Sequence, residues 1–172
     1  MSGPAWKRWP GLLIPLMLLA PSPSRGQVEL FGRWQAPLRR CRLEEQGARP
    51  ATCHRLQLDQ RNAEVVRLIV EADGPQQGEQ LHFTLVGALV DGSEPMACSG
   101  GSCRLRKPMV LQLISLSLTR FDGRGLAQTL PSTWPVQGRC RIDPAQLSCQ
   151  AEERALNPGS RAHLWTVDAA LN

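Results

Sequence analysis

Apolar and polar residues alternate with a period of two along much of the chain. Val66, Leu68, Val70 and Ala72 share one parity, and after Gly74-Pro75 a second series follows at Leu81, Phe83, Leu85 and Leu89. A period of two places successive side chains on opposite faces of a pleated strand, so both runs predict strands with one buried face. Val65, Val66, Leu68 and Ile69 also lie close on a helical wheel, but their β-branched content favours the strand. From Met109 to Leu118 the chain is apolar at both parities, the pattern of a strand covered on both faces, and the run ends at the turn signal Asp122-Gly123. A last strand is predicted from Ala162 through Trp165 and Val167. No stretch sustains a helical period with caps, and 14 prolines and 15 glycines interrupt the chain at short intervals. The pattern predicts a mainly β fold, an antiparallel sandwich or open barrel.

Six cysteines refine this picture. Spacing alone does not choose among their connectivities, but turn chemistry does. The midpoint between Cys98 and Cys103 falls on Gly100-Gly101, a dipeptide suited to a two-residue hairpin turn. The midpoint between Cys140 and Cys149 follows Asp143-Pro144, which suits the first positions of a type I turn, and the midpoint between Cys41 and Cys53 is Gly47. Three hairpin-local disulfides are expected: Cys41–Cys53, Cys98–Cys103 and Cys140–Cys149.

Cross-strand partners share a face, so each hairpin's parity sets the direction of its bridge. Met96, Cys98, Cys103 and Leu105 form one apolar face, and Val136, Cys140, Ile142, Leu147, Cys149 and Ala151 form another, so these two bridges should point into the core. Arg104 and Arg106, and Arg139 and Arg141 with Ser148 and Gln150, should then face solvent. In the first hairpin the apolar parity belongs to Trp34, Ala36, Leu38, Leu56 and Leu58, which predicts an outward Cys41–Cys53 bridge flanked by Arg39 opposite Arg55.

The N-terminal residues follow a different pattern. Lys7 and Arg8 precede an apolar stretch from Gly11 to Ala20 and the run Pro21-Ser22-Pro23-Ser24. This is the order of a secretory signal peptide, expected over residues 1–26 with cleavage after Gly26. The stretch is shorter than the roughly 20 residues of a membrane span, and no later segment is apolar enough to act as an anchor. Residues 27–172 then form one domain of ordinary size, secreted or periplasmic, where disulfides persist. Loss of Lys7, Arg8 and Arg25 takes the basic residues from 20 to 17 against 15 acids, so the whole-chain excess gives no argument for nucleic acid. The chain lacks an Asn-x-Ser/Thr sequon, which leans towards a bacterial source.

Candidate chemistry is sparse. Cys98 and Cys103 have no second ligand pair at zinc-ribbon spacing, and no Cys-x-x-Cys opens a helix. His54, His82 and His163 lie far apart and lack HExxH, GxSxG or Ser-x-x-Lys companions; a hydrolytic site would have to assemble in space from His82 or His163, Asp59 or Asp122, and a serine. Asp122-Gly123-Arg124-Gly125 reads as a plain turn, not an anion loop, because no helix signature follows. Leu130-Pro131-Ser132-Thr133-Trp134 departs from a sorting signal at Trp134 and reads as a loop before a strand. Trp34 and Trp165 sit on apolar faces and are expected in the core.

The remaining cluster is basic. Arg104, Arg106 and Lys107 would join Arg139 and Arg141 in an anion-binding face if the second and third hairpins are neighbours, with Glu94 pairing Lys107. These residues predict a non-catalytic binding or structural module without cofactor, its partner an anionic envelope polymer or an acidic protein. The alternatives are a small extracytoplasmic hydrolase, and an inhibitor or escort of another secreted protein through an exposed strand edge.

Overall fold

The computed structural model describes residues 31–154 and 162–171; the expected signal segment lies outside them. Among the described residues ten strands form one sheet, antiparallel except where β6 meets β1: β1 (Gly32–Glu45), β2 (Ala51–Gln60), β3 (Val65–Asp73), β4 (Gln80–Leu89), β5 (Ala97–Ser99), β6 (Ser102–Arg104), β7 (Met109–Phe121), β8 (Ser132–Ile142), β9 (Gln146–Glu153) and β10 (Leu164–Leu171). The order β1-β2-β3-β4-β7-β8-β9-β10 is an up-and-down meander, and β10 returns to pair with β1, from Leu38↔Leu171 to Glu45↔Trp165. The sheet is thus a closed eight-stranded barrel, and closure leaves its principal strands without a free edge. The short β5–β6 hairpin lies outside this circuit and touches β1 through Arg33↔Ser102.

The expected disulfides are present, each between residues paired directly across a hairpin: Cys41↔Cys53, Cys98↔Cys103 and Cys140↔Cys149. Such bridges place the protein in an oxidising, extracytoplasmic setting. All six cysteines are buried. For the second and third bridges this is the orientation that strand parity predicts. The first also points inward, which corrects the outward orientation expected for it.

The reason is a break in alternation on both strands. In β1 the inward series Ala36, Leu38 resumes at Cys41, Leu43, with Arg39 and Arg40 both outward; in β2 it runs Cys53, then Leu56, Leu58, with His54 and Arg55 both outward. Arg40 is an extra residue relative to β10, and His54 is one relative to β3. Each is a bulge, and one inserted residue moves the following side chains to the other face. Arg40 takes a left-handed conformation with φ 47°. Arg39 consequently pairs with Ala170, while Arg55 lies across from Pro37, so the two are not opposite each other.

A similar device explains the run at both parities in β7. Met109, Leu111 and Leu113 are buried on one parity; then Ile114 breaks the register with β4 and β8, and Leu116 is buried on the other. The outer side of β7 carries exposed Gln112 and Ile114, so this strand is not covered on both faces as its composition suggests. Gly138 is needed beside this irregularity, because a Cβ there would meet the Gln150 carbonyl oxygen at 2.0 Å.

One continuous core fills the barrel. Leu56, Leu58, Val66, Leu68, Leu111, Leu113, Leu116 and Val136 are fully enclosed. Residues 90–108 leave β4 and enter β7 at one end of the barrel, and their buried Met96, Cys98 and Cys103 close that end. Gln60 fixes them from the last position of β2: its Oε1 accepts the Met96 backbone N–H at 2.7 Å and its Nε2 donates to the Met96 carbonyl at 3.3 Å.

Candidate functional site

The opposite end is open. Above Leu116 and Leu85 the inward positions are Leu43 on β1, Leu81 and Phe83 on β4, Leu118 on β7 and Trp165 on β10, and they surround a cavity of about 570 Å³. Its rim is completed by residues of the β1–β2 connection, including Arg49, and by Gly74-Pro75 after β3. Volumes of this size are those of ordinary small-molecule sites, which are largely apolar with a few placed polar groups. Eight strands enclose a space that side chains can fill or that one small ligand can share. Here the closed end is filled, and the mouth is hollow.

The mouth has an aromatic side. The Trp134 and Trp165 ring centroids are 5.4 Å apart, and His163 stacks on Trp165 from outside at 5.8 Å. Trp34 and Trp165 pack on the core as expected, and Trp134 joins them.

Three charged residues occupy or border inward rim positions. Arg120 continues the parity of Leu116 and Leu118 and pairs with Leu81 in β4; Glu45 continues that of Cys41 and Leu43 and pairs with Trp165; Arg49 projects from the β1–β2 connection. In the closed strand order β7 is four strands from β1 in either direction, so Arg120 and Glu45 stand on opposite sides of the mouth. Asp73 also borders the cavity but follows inward Ala72, and its carboxylate lies 3.8 Å from the His54 ring on the outer side. Neither Arg49 nor Arg120 makes an ion pair among the described residues.

The arginines singled out from sequence are all exposed. Arg139 and Arg141 stand on the outer face of β8, in a shallow depression with Gln112, Gln137, Ser148 and Gln150. Arg104 lies on β6 beside β1, and Arg106 and Lys107 on the segment that leads into β7. The two hairpins are not sheet neighbours: β8–β9 sits between β7 and β10, whereas β6 pairs with β1. Glu94 does pair with Lys107, and Arg141 lies 3.9 Å from Asp143.

The polar residues considered for hydrolysis are engaged elsewhere. His82 packs on Phe121 with centroids 4.4 Å apart, Asp59 accepts from Arg33 at 2.8 Å, and Asp122 holds its own turn. Asp122 Oδ1 accepts the backbone N–H groups of Arg124 and Leu126, each at 2.9 Å. The Leu126 amide first, with the Arg124 side chain, keeps this carboxyl below the ordinary aspartate range. Those amides already face Asp122, so Asp122-Gly123-Arg124-Gly125 is a self-contained turn, as its sequence suggests. No group of three His, Cys, Asp or Glu residues is placed to hold a metal ion among the described residues.

A second polar cluster lies on the outer face of β2, β3 and β4. Glu71, buried, accepts two bonds from Arg55 at 2.6 and 2.8 Å, and His54 approaches it at 3.9 Å. His82 is its cross-strand neighbour. Burial pushes the His82 imidazole below its ordinary value. Arg55 satisfies the Glu71 carboxylate, so the cluster reads as a structural ion pair under two histidines.

The mouth was not legible as a site in the sequence. Arg120 looks like an outward strand residue until the irregularity at Ile114 is known, and Arg49 sits in an unremarkable connection. Compared with protein-family models, curated proteins and solved structures, the chain gives no match.

Proposed function

We propose that this protein is an exported, non-catalytic binding barrel, secreted or periplasmic, that takes a small, largely apolar molecule into its mouth. The observation that carries this reading is the contrast between the two ends of one barrel. The closed end is covered by buried Met96, Cys98 and Cys103 and tied down by Gln60, while the other opens into a cavity of about 570 Å³ walled by Leu43, Leu81, Phe83, Leu118 and Trp165. Leu81 and Leu118 are only half-buried, and a ligand that covers the apolar surface they leave to water gains about 25 cal/mol per Å² covered. Trp165 borders the same space while its ring packs on Trp134 and the core.

Titration with a neutral naphthylamine probe, followed by probe emission and tryptophan fluorescence, tests this directly. Saturable uptake of one probe per chain is expected, and Ala51→Trp, which fills the mouth from β2, abolishes it without unfolding the barrel. Absence of saturable uptake, or uptake indifferent to Ala51→Trp, rejects the mouth as the site.

A second reading rests on Arg139 and Arg141, exposed in one polar depression with Arg139 making no ion pair among the described residues. It assigns the outer face of β8 to an anionic partner, an envelope polymer or an acidic protein. Reversal of both charges should remove a salt-sensitive interaction and leave probe uptake by the mouth unchanged.

A further inference from the structure

The inference below rests on the mouth being the binding site and names the class of molecule it takes. We infer that the ligand is an amphiphile with an acidic head, which Arg120 receives at the β7 side of the rim, with Arg49 adding positive charge from the β1–β2 connection, while its apolar body lies against Phe83, Leu118 and Trp165. Arg120 occupies a strand position that points into the barrel, directly above Leu118 and beside Leu81. Aliphatic residues fill the equivalent inward positions below it, Leu116 and Leu118.

The charges around the rim agree. Glu45, the inward carboxylate, is four strands away on the far side of the mouth, and Asp73 lies by His54 on the outer side. Among the described residues neither is paired with Arg120 or Arg49. Two guanidinium groups therefore border the apolar cavity, Arg120 from the β7 side away from Glu45 and Arg49 from the β1–β2 connection, and neither makes an ion pair among the described residues. A guanidinium fork matches a carboxylate or phosphate through two parallel bonds. Acid at the rim and chain in the cavity is the arrangement that satisfies both walls at once. Because the rim is open to water, the head-group contribution is sensitive to salt.

The test uses the full chain and four amphiphiles of equal chain length: decanoate, decyl phosphate, decanol and decyltrimethylammonium, each displacing the neutral naphthylamine probe at low ionic strength. Decanoate or decyl phosphate is expected to bind about ten-fold tighter than decanol, the scale of a charge-assisted hydrogen bond. The better of the two acids identifies the head as carboxylate or phosphate. Arg120→Gln is expected to erase that preference while decanol affinity stays unchanged, which shows that the variant still folds with an intact cavity. Equal binding of decanol and both acids, tightest binding of the cation, or an acid preference that survives in both Arg120→Gln and Arg49→Gln overturns the acidic-head inference and leaves the mouth as a site for neutral or cationic ligands. If none of the four displaces the probe, or the probe itself does not bind, the mouth reading falls instead.

Discussion

The side-chain amide of Gln60 grips the backbone of Met96 at both of its polar groups, accepting from the N–H at 2.7 Å and donating to the carbonyl at 3.3 Å. The two residues are 36 positions apart, and both are buried, with 2 % of each surface exposed. This contact holds the β4–β7 connection across the end of the barrel. Replacing Gln60 by Leu keeps the volume but strands the Met96 N–H and carbonyl away from water. The expected loss is about 2–4 kcal/mol, since each unsatisfied buried group costs about 1–3 kcal/mol. Urea unfolding should show the midpoint falling accordingly, and proteolysis should begin within residues 90–108.

Arg40 is the test of the bulge in β1. Its φ of 47° is a left-handed conformation that a β-branched side chain resists. Arg40→Val should lower stability by about 1–2 kcal/mol, and Arg40→Gly should be neutral or slightly stabilising. Deletion of Arg40 should do more damage than either, because it returns Cys41 and Leu43 to the outer face. Equilibrium denaturation of the three variants measures the order.

The bridges span 12, 5 and 9 residues, so each closes a small loop and restrains the unfolded chain modestly. Converting Cys98 and Cys103 to Ala should cost about 2 kcal/mol, and converting Cys41 and Cys53 about 3 kcal/mol, on the chain-entropy account. Thermal unfolding of the two double variants gives the comparison. Non-reducing peptide mapping of the parent should return the three local pairs and no crossed ones.

His82 gives a dependence on pH. Burial first holds its imidazole below the ordinary 6.5; Glu71 pulls the other way, while Arg55, Arg67 and His54 add to the lowering. The unfolded chain therefore takes up a proton near that ordinary value while the folded chain resists it. The contribution of His82 to stability is complete above the unfolded value and is lost as pH falls through it towards the lower folded one. The urea midpoint should drop between about pH 7.5 and about pH 5.5, and His82→Gln should flatten that drop.

The local chemistry of this protein is readable from its residues. Period-two alternation marks β3, β4 and β10, and glycine, asparate and proline turn signals locate the hairpins at Gly47, Gly100-Gly101 and Asp143-Pro144. Those turns in turn fix the three cysteine pairs, because a hairpin's register follows from its turn. The inward face of Val136, Cys140 and Ile142 against Leu147, Cys149 and Ala151 follows from the same counting. Within an unbroken strand, sequence position alone decides which way a side chain points.

Only the tertiary structure decided what happens where a strand is broken and where its ends meet. The extra residues at Arg40, His54 and Ile114 invert the alternation, and nothing in local propensity requires a bulge rather than a straight strand; the doublets Arg39-Arg40 and His54-Arg55, level with each other on β1 and β2, are its trace. Closure through β10 and β1 joins residues 120 or more positions apart, a contact that no local pattern encodes. The mouth depends on both: Arg120 faces inward only because of the irregularity at Ile114, and it stands across from Glu45 only because the sheet closes. A sequence fixes the alternation of side chains along one strand, but a cavity is made by the distances between strands, and those are set by packing around the whole barrel.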